Sequence, residues 1–572
     1  MLARLQRVVL ILSTFCTGWS AAQTNPEAVA KPSPGDESLW NWARGHAQTL
    51  RFSTLFSAQE VREHLSDDQG LDRAIQWCRD TAVSHVYLET FRGGYTAREE
   101  VLRHAKKRFA DAGFDVSGCV TTTKIGRDSV HGWIFPCFSD PASCDKLQSV
   151  FRYTAGLFDE IMIDDFFATR CECDQCLRSR GDRTWNEFRC PMLLDVSRRC
   201  VLEPAHQANP KVRVILKYPQ WYEDFYERGY DVERQTQVFD GIWVGTETRD
   251  PDNERWGRKS QYEAYFIMRW LGTIGGPKCG GGWFDAYGTS PNTYLEQARQ
   301  TVLAGAREVL LFSYGSLQRD TGPADVEALR GELRQLFQLA ELIRGRPIRG
   351  LSAPKPPNSD GGSDRYVYDF LGLLGLPLVP ASQVRVDVPA CFLSLQAMQD
   401  PKLVEKLVSM LQAGVPLLLT DQLVARLPEP VGVALAPQAA SGTASQPKAP
   451  RSWEALLARS NAEILQVPGD HWSLVRLPAD RLAAIRKRML KPFGVEFEAP
   501  TRVSLYLYGE GTAVVENFND QPVDARLAVR PAAAPPQSVL AIPAGPAARP
   551  AGPGAVYLQL PPRSLVVVRF GR

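Results

Sequence analysis

The chain has no surplus of either charge. Its 66 Lys and Arg stand against 64 Asp and Glu, a formal net charge of +2. That leaves no electrostatic footprint for nucleic acid or an anionic membrane surface. Beyond the N-terminus no run is long and apolar enough for a transmembrane helix, so stable membrane insertion is not expected. Histidine is scarce, with 7 in 572 residues. None stands at an expected strand end with metal-ligand spacing; His85 opens its segment instead. This argues against a hydrolase whose catalytic metal is held by histidine, and no cofactor is needed for the catalysis inferred below.

The first residues read as an export signal. Arg4 and Arg7 precede the apolar run VVLILSTFC, and Ser20-Ala21-Ala22 follows. A basic start, a short apolar stretch and small residues at a cleavage site mark a signal peptide over 1–22 and a periplasmic or extracellular protein. Residues 23–38 are a flexible leader rich in Pro, Ala and Asn. Export permits disulfides among the eleven later cysteines.

A chain of 572 residues exceeds one hydrophobic core, so two or three domains are expected. From residue 40 short apolar strands alternate with helical or irregular stretches. The strands are 49–56, 84–90, 114–122, 159–165, 212–218, 241–248, 281–287 and 308–314. Thr96 and Glu99 read as a capping box for a helix over 96–112 that Gly113 stops. The last helix carries Leu329, Leu333, Leu336, Phe337, Ala340 and Ile343 on one face. Eight strand–helix units over 40–345 imply a parallel sheet closed into a (β/α)8 TIM barrel.

The texture changes after residue 345. Residues 346–490 read as a small open α/β domain, in which Asp400 caps a helix with Pro401 at its first position. An insertion without periodicity, 434–452, is expected to be disordered. Alternation of period two over 496–572 reads as a C-terminal β-sandwich.

Active sites of such barrels lie at the C-terminal ends of the strands. Those ends carry Glu89; Asp164 and Asp165; Lys217 with Trp221; Glu247 with Arg249 and Asp250; Asp285; and Tyr314. Carboxylates, cations and aromatics converging on one mouth suit a sugar. Glycoside hydrolysis needs two carboxyl groups, ~5–5.5 Å apart when retaining and ~6.5–9.5 Å apart when inverting. Neighbouring strand residues face opposite ways, so one of Asp164 and Asp165 is expected in the funnel. Asp165 is the choice, with Asp164 bracing a loop. Glu247 is the expected second carboxylate and Asp285 its rival. Glu89, Lys217, Trp221, Arg249, Asp250 and Tyr314 are candidate substrate binders.

Cys171-x-Cys173-x-x-Cys176 follows the fourth strand. Cys-x-Cys is a poor pair for a disulfide, whereas three thiolates on one loop suit structural zinc. Cys137, from the preceding loop, is the candidate fourth ligand. The alternative is disulfides among Cys137, Cys144, Cys171, Cys173, Cys176, Cys190 and Cys200.

The order of barrel, small α/β domain and C-terminal β domain, with the CECDQC loop after the fourth strand, resembles glycoside hydrolase family 42, the β-galactosidases. The resemblance implies a flavodoxin-like middle domain that forms a homo-oligomer, and zinc on Cys171, Cys173 and Cys176. The chain departs from that family where its fourth strand ends in Asp164-Asp165 rather than Asn-Glu, and where Asp285 replaces a nucleophilic Glu. An aspartate there, with an acid after strand six, looks more like the α-galactosidase superfamily. Carried over by position, Asp165 is the nucleophile and Glu247 or Asp250 the acid. The expectation is an exported, retaining glycoside hydrolase acting on an oligosaccharide or polysaccharide. The rival is a non-catalytic carbohydrate-binding protein on a degenerate glycosidase barrel.

Overall fold

In the computed structural model eight parallel strands run β1 (Arg51–Phe56), β2 (Val83–Arg92), β3 (Asp115–Val120), β4 (Glu160–Ile163), β5 (Arg213–Tyr218), β6 (Gly241–Gly245), β7 (Cys279–Asp285) and β8 (Glu308–Phe312). Each pairs with the next, and β1 pairs with both β2 and β8, which closes the barrel. The structure describes residues 38–430 and 452–571, apart from positions 131, 254, 256, 257, 532, 533, 544 and 546. The export signal, all but the last residue of the leader, and nearly all of the expected insertion lie outside the described residues.

One side chain from every strand fills the barrel interior: Leu55, Tyr87, Cys119, Met162, Ile215, Trp243, Trp283 and Leu310. Strand side chains alternate with period two. Two positions further on, the inward layer therefore holds Glu89, Thr121, Asp164, Lys217, Gly245, Asp285 and Phe312. The chemistry at the mouth thus sits directly on the barrel's hydrophobic plug.

The connecting helices follow local signals. Ser57 and Glu60 form a capping box for the helix Ala58–His64, and Ser290 caps the helix Pro291–Leu303. The whole apolar face expected of the last barrel helix is buried along Gly322–Ile343. Two caps fall elsewhere than expected. Thr96 belongs to a short strand that turns back onto the end of β2, so the helix starts at Glu99 with Arg98 at its cap. Asp400 accepts from the Lys402 amide, and that helix begins only at Leu403.

A second parallel sheet is formed by β9 (Leu351–Pro354), β10 (Leu378–Ala381), β11 (Cys391–Leu393), β12 (Leu417–Thr420) and β13 (Ala462–Leu465). Its spatial order, β10-β9-β11-β12-β13, is the doubly wound flavodoxin order. Two antiparallel sheets of five and four strands follow. One strand of the five-stranded sheet is Ile348–Arg349, which pairs with Tyr508 and Leu507.

Candidate active site

Lys217 is the hub. It is 1% exposed at the end of β5, and its ammonium lies 4.2 Å from the Trp283 ring centroid. Nζ donates to Glu247 Oε1 at 2.7 Å. It lies 3.0 Å from Asp165 Oδ1 without the alignment of a hydrogen bond, and 3.6 Å from Asp164 Oδ1. Burial opposes the ammonium charge, but Asp165, Glu247 and Asp164 hold its pKa above the ordinary lysine value.

Asp164 occupies the inward layer that alternation assigns to it. Arg92 donates to it, Thr121 Oγ1 lies 3.0 Å away, and its Oδ1 accepts from the Asp165 amide. Burial works against its charge, yet Arg92 and Lys217 hold its pKa below the usual aspartate value. The expectation that only one of the two aspartates faces the funnel fails. β4 ends at Ile163, so strict alternation stops before Asp165, and Phe166 turns through a positive φ of 76°. Both carboxylates reach Lys217, and Asp164 makes no contact with the cysteine loop among the described interactions.

Asp165 is raised to about 7, by burial first and then by Glu247 and Asp164, against the pull of Lys217. Glu247 is raised as well, by burial and by Asp285, again against Lys217. Glu247 Oε2 is buried without a hydrogen-bond partner. It fits because position 245 is glycine: a Cβ there would lie 2.4 Å from Oε2 and 2.8 Å from the Gln220 amide nitrogen.

The remaining candidates divide. Glu89 is fully buried, accepting from Arg92 Nε at 2.7 Å and the Ala58 amide at 2.9 Å. Arg249 forks onto Asp285 at 3.0 and 2.6 Å. Trp221 joins an aromatic wall with Phe135 and Tyr230, and Arg228 lies 4.1 Å over its ring. Asp250 turns aside: its Oδ1 accepts from the Asp252 amide and its own amide bonds to Gly288. Tyr314 falls two residues past the end of β8 and packs against Phe56, Trp77 and His64 rather than at the carboxylates.

Three groups were not anticipated. Arg92 bridges Glu89 and Asp164, and Thr121 touches both. Thr121 could have been found by counting two residues on from Cys119, but Arg92 lies where the end of β2 leaves simple alternation. Tyr230 is buried beside Asp165, the charge that acts most on it, and its hydroxyl has no hydrogen-bond partner.

Beside the mouth, the sulfurs of Cys137, Cys171, Cys173 and Cys176 lie within 4.8 Å of one another. Cys137–Cys173, Cys137–Cys176 and Cys173–Cys176 are 3.9, 3.7 and 3.7 Å apart. A tetrahedron with metal–sulfur arms of ~2.3 Å has edges of about 3.8 Å, so this donor set fits a tetrahedral metal ion. The one disulfide among the described residues, Cys144–Cys200, lies outside this set.

A closed (β/α)8 barrel carries a ring of buried carboxylates and cations at its C-terminal mouth, where such barrels place their active sites. Residues 37–346 match the family model described as probable glycosyl hydrolase, catalytic domain, and 494–538 match probable glycosyl hydrolase, C-terminal domain. The chain belongs to this glycosyl hydrolase family. It is 26% identical over 400 residues to an uncharacterized protein of Saccharolobus solfataricus, covering 64% of this chain and 65% of that protein, just under two thirds of the relative's length. The fold is shared with a catalytic mutant of Gan42B, a GH42 beta-galactosidase from G. stearothermophilus. That match has 10% identity and a TM-score of 0.57, over 91% of this chain and 98% of that one. Alpha-L-fucosidase isoenzyme 2 from Paenibacillus thiaminolyticus matches at 12% identity and a TM-score of 0.53, over 91% of this chain and all of that one.

Proposed function

We propose that the chain is an exported, retaining glycoside hydrolase in which Asp165 and Glu247 are the working pair. The observation that carries this reading is the shared ammonium. Both carboxylates lie against Lys217 Nζ, so these two oxygens are at most about 5.7 Å apart, a bound that the ~5–5.5 Å retaining arrangement meets. Five carboxylates, from Glu89, Asp164, Asp165, Glu247 and Asp285, face three cations, from Arg92, Lys217 and Arg249. Acids in excess of cations in a buried cluster retain protons.

The hydrogen-bonding around Lys217 supports an assignment opposite to the one carried over by position. Lys217 donates a well-formed hydrogen bond to Glu247 and only approaches Asp165, while ionised Asp164 stands next to Asp165. The shared proton therefore rests on Asp165, which acts as general acid to the leaving oxygen. Glu247 is the nucleophile that takes the anomeric carbon and releases it to water. Glu89 and Asp164 hold Arg92, and the Arg249–Asp285 fork closes the far side. Azide rescue separates the roles. Glu247→Ala should lose activity on para-nitrophenyl glycosides and regain it with azide as a glycosyl azide of inverted configuration. Asp165→Ala should give a rescued azide of retained configuration. The opposite pairing would return the nucleophile's role to Asp165, and near-wild-type activity in both variants would sink the pair.

The panel should include the β-D-galactoside and the α-L-fucoside, the sugars named by the two structural neighbours. The shared architecture supports a kinship with family 42, and with it self-association through the α/β unit. Zinc is the metal proposed for the four cysteines, from their all-sulfur tetrahedral donor set; it would brace loops and enter no chemical step. Export is supported by the N-terminal pattern and by a disulfide, which suits an oxidising compartment.

A further inference from the structure

The loop after β5 is held from outside the barrel, by the α/β unit. Glu223 is fully buried and accepts from Lys355 Nζ at 2.9 Å and from Gln396 Nε2 at 3.0 Å. The Tyr222 hydroxyl donates to Asp369 at 3.0 Å. Arg365 forks onto two acids of the loop: Nη1 donates to Asp224 Oδ1 at 3.2 Å and Nη2 to Glu227 Oε1 at 2.9 Å.

From Asp224 the contacts continue to the mouth. Asp224 Oδ2 accepts from Arg228 Nη2 at 2.7 Å. The Arg228 guanidinium lies 4.1 Å over the Trp221 ring and 5.6 Å over that of Phe135, so it joins two members of the aromatic wall. Burial opposes the charge of Arg228, and Asp224 is the largest influence sustaining it. A cation is drawn to the face of an indole, and a carboxylate fixed from its far side leaves that cation little freedom. The loop also starts against the reaction centre. A Cβ on Gly245 would lie 2.4 Å from Glu247 Oε2 and 2.8 Å from the Gln220 amide nitrogen, so the residue before Trp221 stands within about 5.2 Å of that carboxylate oxygen.

We propose that Arg365 is a positioning residue: through Asp224 and Arg228 it sets Trp221 in the mouth, which makes the α/β unit a working support of substrate binding. The proposal rests on the glycosidase reading above for what the wall binds, but not for how the wall is held. Lys355 sits in the buried part of the joint, whereas the Arg365 side chain is 33% exposed, so Arg365 is the residue to change.

Arg365→Ala, Arg365→Lys, Trp221→Ala and the double variant of Arg365→Ala with Trp221→Ala are assayed on para-nitrophenyl β-D-galactoside and α-L-fucoside. On the glycoside that wild type cleaves, Arg365→Ala should raise KM ~5-fold, the scale of a weakened cation–π contact, with kcat little changed. Arg365→Lys, which keeps the charge but not the fork, should recover part of the loss. In the Trp221→Ala background the change at Arg365 should leave KM where it is, because the group acted upon is gone. An unchanged KM, or a rise of equal size in both backgrounds, overturns the proposal. A second readout needs no substrate. In protein labelled with 5-fluorotryptophan, the fluorine resonance that vanishes in Trp221→Phe reports on that ring. It should shift by more than its width in Arg365→Ala and stay in place in Arg385→Ala, which removes an exposed pair with Asp387 on the same unit. A resonance unmoved in Arg365→Ala, or moved equally by both changes, overturns the proposal whether or not a glycoside is cleaved. If it moves in Arg365→Ala alone while neither glycoside is cleaved, the positioning of Trp221 stands and the failure belongs to the hydrolase reading.

Discussion

At the scale of single residues the site is a contest between burial and pairing. Asp164 and Asp165 are adjacent, yet one is held below the usual aspartate value and the other is raised to about 7. The difference is the company they keep: Asp164 has Arg92 and Lys217, while Asp165 has part of Lys217 and two carboxylate neighbours. A general acid must be protonated, so kcat/KM should fall as pH rises above about 7. It should fall again at low pH, where Glu247 takes a proton. The limbs belong to the coupled pair rather than to single residues. A Lys217→Met variant, which leaves two or three buried acids without their cation, should lose at least ~100-fold in kcat and move the acid limb upward. A pH–rate profile with unmoved limbs would show that Lys217 does not hold the pair. Most of this ring could be read from strand ends, because period-two alternation in a barrel converts sequence spacing into a layer. Asp165 is named from the strand end too, but with Asp164 turned away; Arg92, beyond a register shift near the end of β2, and Tyr230, twelve residues past the end of β5, could not be read from alternation.

At the scale of elements, two cross-links order the rim on the side of β3 and β4. The four-cysteine cluster ties the segment after β3 to the segment after β4. Phe135, two residues before Cys137, packs on Phe166, which follows Asp165. Thr122 and Thr169 add hydrogen bonds between the same stretches. On the proposal that these cysteines hold zinc, treatment with a strong chelator should raise KM several-fold through the aromatic wall, with kcat less affected. Metal content and KM should recover together on adding zinc. A KM that stays unchanged as metal content falls to zero would separate the cluster from the mouth. The Cys144–Cys200 bridge spans 56 residues, joining the helix Pro141–Ala155 to the π-helical stretch Ser197–Leu202. Chain-entropy arguments value such a bridge at about 4 kcal/mol, and Cys200→Ser should lower the Tm by several degrees without changing metal content. The cysteine spacing announced the cluster, whereas the bridge depends on a helix packing that no local pattern encodes. The same limit explains Thr96: Thr-x-x-Glu has the spacing of a cap, but a hairpin at the end of β2 claims the threonine first.

At the scale of the whole chain, the β sheets of the C-terminal part meet the barrel through buried charge. Arg299, on the barrel helix Pro291–Leu303, forks onto Glu332 and donates to the Arg563 carbonyl at 2.7 Å. Arg563 in turn holds Glu296 at 2.9 and 3.2 Å. Tyr506 donates to Glu516 at 3.1 Å, and Gln300 donates to both. None of this was legible in the sequence, since partners lie up to 267 residues apart. Removing Arg563 should cost ~3–5 kcal/mol, because Glu296 stays buried without its cation. Glu516 behaves differently. Burial, helped by Glu296 and Glu332 and opposed by Arg299, raises it to about 8. The folded chain then binds a proton that the unfolded chain, at its ordinary value near 4.5, has released. Stability from this group is complete below about pH 4.5 and is lost as pH rises toward 8. Glu516→Gln keeps the shape and removes the titration. Relative to wild type, its unfolding free energy should gain about 2–4 kcal/mol between pH 5 and pH 9, from ~1.4 kcal/mol per pH unit. Arg563→Met should lose more at pH 9 than at pH 5, because Glu296 without its cation takes up a proton at the lower pH. Denaturant melts at the two pH values read both effects, and parallel curves for Glu516→Gln and wild type would mean that the carboxyl is ionised throughout and that the joint is held by pairing alone.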